Sequence, residues 1–269
     1  MAKQNQPVIS VVILTRETPF MILKRCIQSI REQTYKNIEI LLLDSNEKDS
    51  PYKEAILAEA DFLTDIIHLE IPETKEFVHG KNAVLDAYHG DYLTFLSSQD
   101  IMPAQRIEKI IHAFKKKTSY QAIYTDLAAQ QNNILESTDY ELLSTDFQYL
   151  SQLVLRRDCF QWIGIFDPDL VAHCDDELWF RIQSLNLAYH LSSKETIISV
   201  CPDAYHNYSS LDAAIGYRQL CIKYEPLFKK NKAALKVLYQ KAAEEYKKAG
   251  VIHRYLQFAL KAKFFFSKK

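Results

Sequence analysis

The sequence predicts an α/β fold, a mostly parallel sheet with helices on both faces, followed by a helical C-terminal segment. Three observations carry that expectation. Short apolar runs rich in β-branched residues alternate with helix-spaced segments through the first half of the 269 residues. The runs are apolar at successive positions, the pattern of strands buried on both faces, and such β–α alternation folds into parallel strands joined by crossover helices. From Leu211 onward the spacing is helical to the end.

Val8–Leu14 (VISVVIL) is the first strand. Phe20–Gln33 follows as a helix, with Ile22, Leu23, Cys26, Ile27 and Ile30 recurring at helical intervals. Ile38–Leu43 (IEILLL) is the second strand and stops at Asp44. A helix at Tyr52–Ala60, a strand at Ile66–Glu70, a helix at Lys75–Tyr88, a strand at Tyr92–Leu96, a helix at Arg106–Lys116 and a strand at Ala122–Asp126 follow. The next stretch is less regular. Gln131–Ser137 and Leu153–Arg157 read as strands, and Asp176–Leu185 as an amphipathic helix with Leu178, Trp179, Ile182 and Leu185 inward. Ala188–Leu191 and Thr196–Val200 are short strands. Three helices close the chain at Leu211–Phe228, Ala233–Ala249 and Ile252–Phe266, separated by the break at Lys229–Lys232 and by Gly250. The expected organisation is a main domain over 1–209 and a basic helical extension over 210–269.

Composition excludes several classes. Hydrophobic residues are 48% and charged residues 25%, enough to bury a sizeable core. A formal charge of -1 excludes disorder driven by net charge. The five glycines stand too far apart for a G-x-G fingerprint or a P-loop. The five cysteines are scattered without a C-x-x-C, so reduced thiols are expected rather than a zinc knuckle or a disulfide framework. Met1–Pro7 does not read as a signal peptide and no run reaches the roughly 18 apolar residues of a membrane span, so a cytoplasmic location is expected. From Cys221 to Lys269, 12 Lys and one Arg face three Glu, a charge of +10, which leaves -11 on the body. That acidic body, with no recognisable module, argues against nucleic-acid binding. The basic end is of a kind that meets anionic surfaces.

In an open parallel sheet, ligands bind beyond the C-terminal ends of the strands. That rule selects three loops, Thr15–Pro19, Asp44–Asp49 and Ser97–Pro103, two of which carry an aspartate near the strand end. A crevice without glycines holds a nucleotide through its base, its ribose or a metal.

Three stretches carry a resemblance. PVISVVILTRETPFMILKRCIQSIREQTYKNIEILLLD has a strand, a Thr loop, a helix ending in S-I-x-x-Q-T-Y-x-N and a strand ending in Asp. GKNAVLDAYHGDYLTFL and LRRDCFQWIGIFDPDL…CDDELWFRI follow in order. Together they resemble glycosyltransferase family 2, whose members have the Rossmann-like GT-A fold, over about Pro7–Val200. The resemblance implies an inverting transfer of a sugar from a nucleotide-diphosphate donor to a saccharide or lipid-linked acceptor, in bacterial surface polysaccharide or glycoconjugate synthesis. Such a transfer needs the leaving diphosphate neutralised and the acceptor hydroxyl deprotonated. A divalent cation, Mg²⁺ or Mn²⁺, is expected for the first task and a carboxylate for the second.

Residue by residue, the resemblance places Asp44 at the nucleobase and ribose, with Thr15, Arg16 and Glu17 lining the same pocket. Lys81 would contact the diphosphate and Asn82 hold the loop. Where the family reads F-L-D-x-D-D, this chain reads Phe95-Leu96-Ser97-Ser98-Gln99-Asp100, leaving Asp100 as donor contact and metal ligand, with His206 as a second metal ligand. Cys174-Asp175-Asp176-Glu177-Leu178-Trp179 aligns with E-D-x-D-L-W and puts Asp175 at the catalytic base. Plainer readings stand beside these: a turn-forming Asp44, a helix-capping Glu17 or Asp175, a surface Lys81 and a loop His206. For the whole chain, the alternative is an inactive relative that binds a sugar nucleotide or a partner. Lys261–Lys269 (KAKFFFSKK) predicts peripheral contact with the inner face of the cytoplasmic membrane, the alternative being a terminal helix packed on the body.

Overall fold

The structure is a computed structural model. It describes residues 6–71, 77–130, 140–144, 149–201, 208–228 and 232–264. The chain forms two compact units, Met1–Phe166 with Leu178–Tyr205, and Asp167–Glu177 with His206–Lys269.

The first unit is built on a seven-stranded sheet. Its strands are β1 (Ile9–Thr15), β2 (Ile38–Asp44), β3 (Ile66–Glu70), β4 (Tyr92–Ser97), β5 (Ala122–Thr125), β8 (Leu153–Arg156) and β9 (Ala188–Leu191). The order is β3-β2-β1-β4-β8-β5-β9. β1 pairs in parallel with β2 and β4, β2 with β3, and β5 with β9, while β8 runs antiparallel between β4 and β5. The mainly apolar strands β1 and β4, broken only by the buried Ser10 and Thr94 before their terminal Thr15 and Ser97, lie at the centre of the sheet and are almost wholly buried, whereas edge strand β3 is half exposed.

Helices α1 (Phe20–Arg31), α2 (Pro51–Ala58), α3 (Phe77–Ala87) and α4 (Arg106–Lys116) make the crossovers. α2 starts where its sequence dictates, since the Ser50 hydroxyl accepts the Tyr52 N–H at 3.2 Å and Pro51 needs no donor in the first turn. α1 and α4 bury their apolar stripes, Leu23, Cys26, Ile27 and Ile30 on one and Ile107, Ile110, Ile111 and Phe114 on the other.

Three features depart from the expected elements. A second sheet, β10-β6-β7, is made by Ile198–Val200, Leu127–Gln130 and Tyr140–Ser144. β6 follows β5 after the single residue Asp126, so strands of two sheets adjoin where one strand, Ala122–Asp126, was expected. A short helix, α5 (Cys159–Ile163), lies in a stretch read as irregular, and Lys194–Thr196 is a 3₁₀ turn preceding β10. The expected strand Gln131–Ser137 lies outside the described residues.

α6 (Cys174–Ser184) begins in the second unit and continues into the first. The second unit otherwise comprises α7 (Ser210–Phe228), α8 (Lys232–Lys248) and α9 (Ile252–Phe264). Leu235, Leu238, Tyr239, Ala242 and Tyr246 of α8 and Phe258 and Ala262 of α9 are buried. Gly250 adopts φ +74°, the left-handed stop that ends α8.

Candidate functional site

Hydrogen bonds tie the three strand-end loops of the first unit into one rim. Ser45 donates to the Thr15 carbonyl through its backbone N–H (3.0 Å) and its hydroxyl (3.1 Å), and the Glu17 N–H donates to Asn46 Oδ1 at 2.6 Å. On the other side, the Ser98 N–H donates to the Leu14 carbonyl at 2.9 Å, and the Thr18 and Ser98 hydroxyls lie 2.7 Å apart. Glu17 has φ +50°, a left-handed conformation that a residue with a side chain holds only when its surroundings impose it. The bond to Asn46 is such a constraint. Glu17 does not cap α1, whose N-terminus at Pro19 has no side-chain cap. Arg16 and Glu17 are exposed on the rim, and the buried Thr15 hydroxyl has no hydrogen-bond partner among the described residues.

Asp44 ends β2 and is fully buried. Its Oδ1 accepts the Asn46 backbone N–H (2.9 Å) and side-chain amide (2.8 Å), the turn geometry that Asp favours. Its Oδ2 lies 3.1 Å from His68 Nε2 and 3.9 Å from Lys53 Nζ, which is itself 2.8 Å from Glu70 Oε2. Burial pushes the Asp44 pKa up, but bonding to His68 and Asn46 and the Lys53 charge outweigh it and hold the carboxyl below its ordinary value. A carboxylate with a depressed folded pKa contributes stability that is present above its unfolded pKa and lost as pH falls through the folded one. The stability gap between wild type and Asp44→Asn is therefore expected to narrow as pH falls from about 6 to about 3 in urea titrations. A gap independent of pH would contradict this assignment.

At the β4 end, Asp100 is also fully buried. Its Oδ2 accepts the Ser97 N–H (3.1 Å) and its own N–H returns to the Ser97 carbonyl (3.0 Å), closing the turn. Its charge acts inward, on the Cys26 thiol and the Arg106 guanidinium. Arg106 is itself fully buried, and burial lowers its pKa to about 9, opposed by Asp100, so it is a cation at neutral pH. It donates to the Thr125 hydroxyl and to the carbonyls of Thr196 (2.6 Å), Ser151 (2.9 Å) and Gln152 (3.3 Å). Sequence patterning did not single out Arg106; helical spacing alone puts it at the start of α4. One enclosed carboxylate beside Ser97, Ser98 and Gln99 does not fit a cation held by the protein alone. Among the described residues, no three His, Cys, Asp or Glu side chains converge as a ligand set. His206 lies outside the described residues.

Lys81 is buried on α3, not a surface lysine, with Nζ 5.5 Å from the Phe166 ring centroid. Asn82 does hold a loop. Its amide donates to the Phe166 carbonyl (2.9 Å) and its Oδ1 accepts the Phe166 N–H (3.0 Å). Asp126, just beyond β5, was not among the expected site residues. Its carboxylate is taken by His190 Nε2 at 2.7 Å and the Ser192 hydroxyl at 2.7 Å, and His190 stacks on Tyr124. An aspartate directly after a buried strand, as at Asp44, is the sequence signal that would have found it.

In the second unit, Asp175 lies in the first turn of α6, where unpaired amides favour negative charge. The three adjacent carboxylates have separate tasks. Asp176 Oδ2 lies 3.0 Å from His173 Nδ1. Glu177, fully buried, accepts Lys223 Nζ at 2.7 Å and the Tyr224 hydroxyl. Asp175 is partly exposed and accepts the Cys174 thiol at 3.5 Å, which gives the cysteine a role where the family pattern has Glu.

α7 grips the segment that leads to Asp175. Gln219 accepts the Val171 N–H (3.1 Å) and donates to the Asp169 carbonyl (2.8 Å), and Lys223 reaches Asp167 Oδ2 at 2.5 Å. Tyr217 stacks on His173 with centroids 3.8 Å apart. A Cβ on Gly216 would sit 2.8 Å from the Ala172 carbonyl oxygen, so only glycine allows this approach. Lys223→Met is expected to destabilise the protein by about 1–2 kcal/mol, a range discounted for the partial exposure of the ammonium. A thermal melt checks this, and an unchanged melt would contradict the clamp.

Comparison with known proteins supplies the remaining findings. Residues 10–174 match the family model described as Glycosyl transferase family 2. An uncharacterized glycosyltransferase of Rickettsia bellii (strain RML369-C) is 26% identical over 176 residues, covering 60% of this chain and 25% of that protein. Glycosyltransferase GlyA of Streptococcus pneumoniae serotype 4 (strain ATCC BAA-334 / TIGR4) is 31% identical over 100 residues, covering 37% of this chain and 14% of that protein. The chain thus spans about a quarter or less of the length of these two relatives. Among solved structures, a mannosyltransferase from Pyrobaculum calidifontis, PcManGT, in complex with GDP-Man and Mn²⁺, superposes with a TM-score of 0.60 at 15% identity, covering 98% of this chain and 82% of that one. TarS of S. aureus superposes with a TM-score of 0.57 at 12% identity, covering 94% and 55%. At these identities the structural likeness establishes the GT-A-like fold.

Proposed function

The chain belongs to glycosyl transferase family 2, and from that premise we propose that it moves a sugar from a nucleotide-diphosphate donor to a saccharide or lipid-linked acceptor, in bacterial surface polysaccharide or glycoconjugate synthesis. The observation that carries the reading is the rim itself, in which the ends of β1, β2 and β4, all within the matched residues, are bonded into one edge. Thr15, Arg16, Glu17 and Asp44 take the nucleoside and Lys81 the diphosphate. Asp44, saturated by its own neighbours, acts by shaping the loop that receives the base.

Asp175 accepts the acceptor hydroxyl's proton. The acceptor oxygen bonds to the anomeric carbon as the bond to the diphosphate oxygen breaks, with inversion, and a nucleoside diphosphate leaves. The Mn²⁺ bound with GDP-Man in PcManGT supports a divalent cation arriving with the donor. Here the donor's phosphates would supply most of its ligands. Asp100 acts through the Ser97–Asp100 turn, and a direct contact of Asp100 with the cation is the role that EDTA titration of an Asp100→Asn variant tests. The helices beyond residue 209 form an extension that holds the Asp175 segment through α7.

A second reading, a sugar-nucleotide binder without transfer, is favoured by Ser97 and Gln99 standing where the family has carboxylates. A screen of UDP-, GDP- and dTDP-sugars, each with Mn²⁺ and with EDTA, separates the two. Release of nucleoside diphosphate from one donor class supports transfer. Binding without release supports the second reading, and neither binding nor release contradicts both.

A further inference from the structure

We propose that the outer face of α8 and α9 docks onto a membrane that carries anionic lipid. α9 is apolar on two faces. One is buried through Phe258 and Ala262, with Phe258 packed against Tyr239 and Tyr246 at centroid distances of 5.9 and 5.6 Å. The other is formed by Ile252, Leu256 and Leu260, spaced a helical turn apart and 56, 52 and 52% exposed. A single exposed leucine is ordinary, but three in register on one helix make a stripe suited to lie in a lipid interface.

The charges beside the stripe select the partner. A hollow of about 510 Å³ between α8 and α9 is lined by Ala243, Ala259 and Ala262 together with Lys236, Lys247 and Lys263, and Glu244 is the one acid among the described residues that line it. On the α9 wheel, Lys263 falls between Ile252 and Leu256, so cations and apolar side chains share one face. An isologous contact with a second copy would set lysines against lysines. A nucleic acid would meet the lysines and leave the leucines in water. An anionic bilayer satisfies both sets, with headgroup phosphates at the lysines and the Ile252–Leu256–Leu260 stripe among the acyl chains. The surface is independent of the transfer reading.

Co-sedimentation of the full chain with vesicles tests it. Pelleting is expected with phosphatidylcholine vesicles containing phosphatidylglycerol, not with phosphatidylcholine alone, and is expected to weaken as salt rises. Lys247→Ala and Lys263→Ala are each expected to weaken binding about fivefold. The pair Leu256→Ser and Leu260→Ser is expected to abolish it. These side chains are exposed, so the variants should melt like wild type. Equal pelleting of wild type and both sets of variants, or equal pelleting with and without phosphatidylglycerol, would overturn the proposal. So would a dimer in sedimentation equilibrium that the serine variant dissociates while no vesicle binding occurs.

Discussion

Asp175→Asn is expected to lower the rate of sugar transfer by about two to four orders of magnitude while leaving donor affinity unchanged. Asparagine keeps the size of the side chain and its place in the first turn of α6 but cannot accept the acceptor's proton. Its acidic neighbours are poor substitutes, because Asp176 is engaged with His173 and Glu177 with Lys223 and Tyr224. Asp176→Asn is the matched control and is expected to retain most of the rate. Single-turnover product formation, with donor affinity measured separately, checks the pair. Equal losses in both variants would mean that the turn, and not the proton acceptor, had been disturbed.

Arg106→Leu is expected to destabilise the first unit by about 4 kcal/mol. The leucine fills part of the space but leaves three buried carbonyls and the Thr125 hydroxyl without their donor, and leaves the Asp100 carboxylate without its buried counter-charge. Arg106→Lys is expected to recover only part of the loss, because an ammonium cannot reproduce the planar fork that reaches four acceptors. Urea denaturation of the three proteins measures this. A loss below about 1 kcal/mol in the leucine variant would show that the network adds little to the fold.

Much of this architecture was legible in the residues. The strands and helices of the first half follow from apolar runs and helical spacing, and the rule that ligands bind at the carboxyl ends of parallel strands selected the three loops that hydrogen bonds join. What escaped has identifiable causes. Asp126 stands between strands of two different sheets, and no local pattern announces the change of partner. The antiparallel direction of β8 depends on which gap in the sheet it fills, information held in distant residues. Arg106 was visible only as the first residue of a helix, because its acceptors come from Thr125, Ser151, Gln152 and Thr196, far apart in sequence. The grip of α7 on the Asp175 segment was hidden for the same reason. Lys223 and Tyr224 read as ordinary members of a basic helix, and only the fold brings Glu177 to them. The resemblance makes Asp100 a donor contact and metal ligand, and the fold adds what its motif could not show, that its Oδ2 also accepts the Ser97 N–H of the turn that carries it.

Titration calorimetry of nucleoside diphosphate sugars against wild type and Asp44→Asn tests the central claim most directly, since that claim makes the joined ends of β1 and β2 the donor's nucleoside site. One donor class is expected to bind the wild-type protein, and the variant, at a pH where it remains folded, is expected to bind that donor at least about tenfold more weakly. A folded Asp44→Asn protein that binds the donor as tightly as wild type would contradict the account.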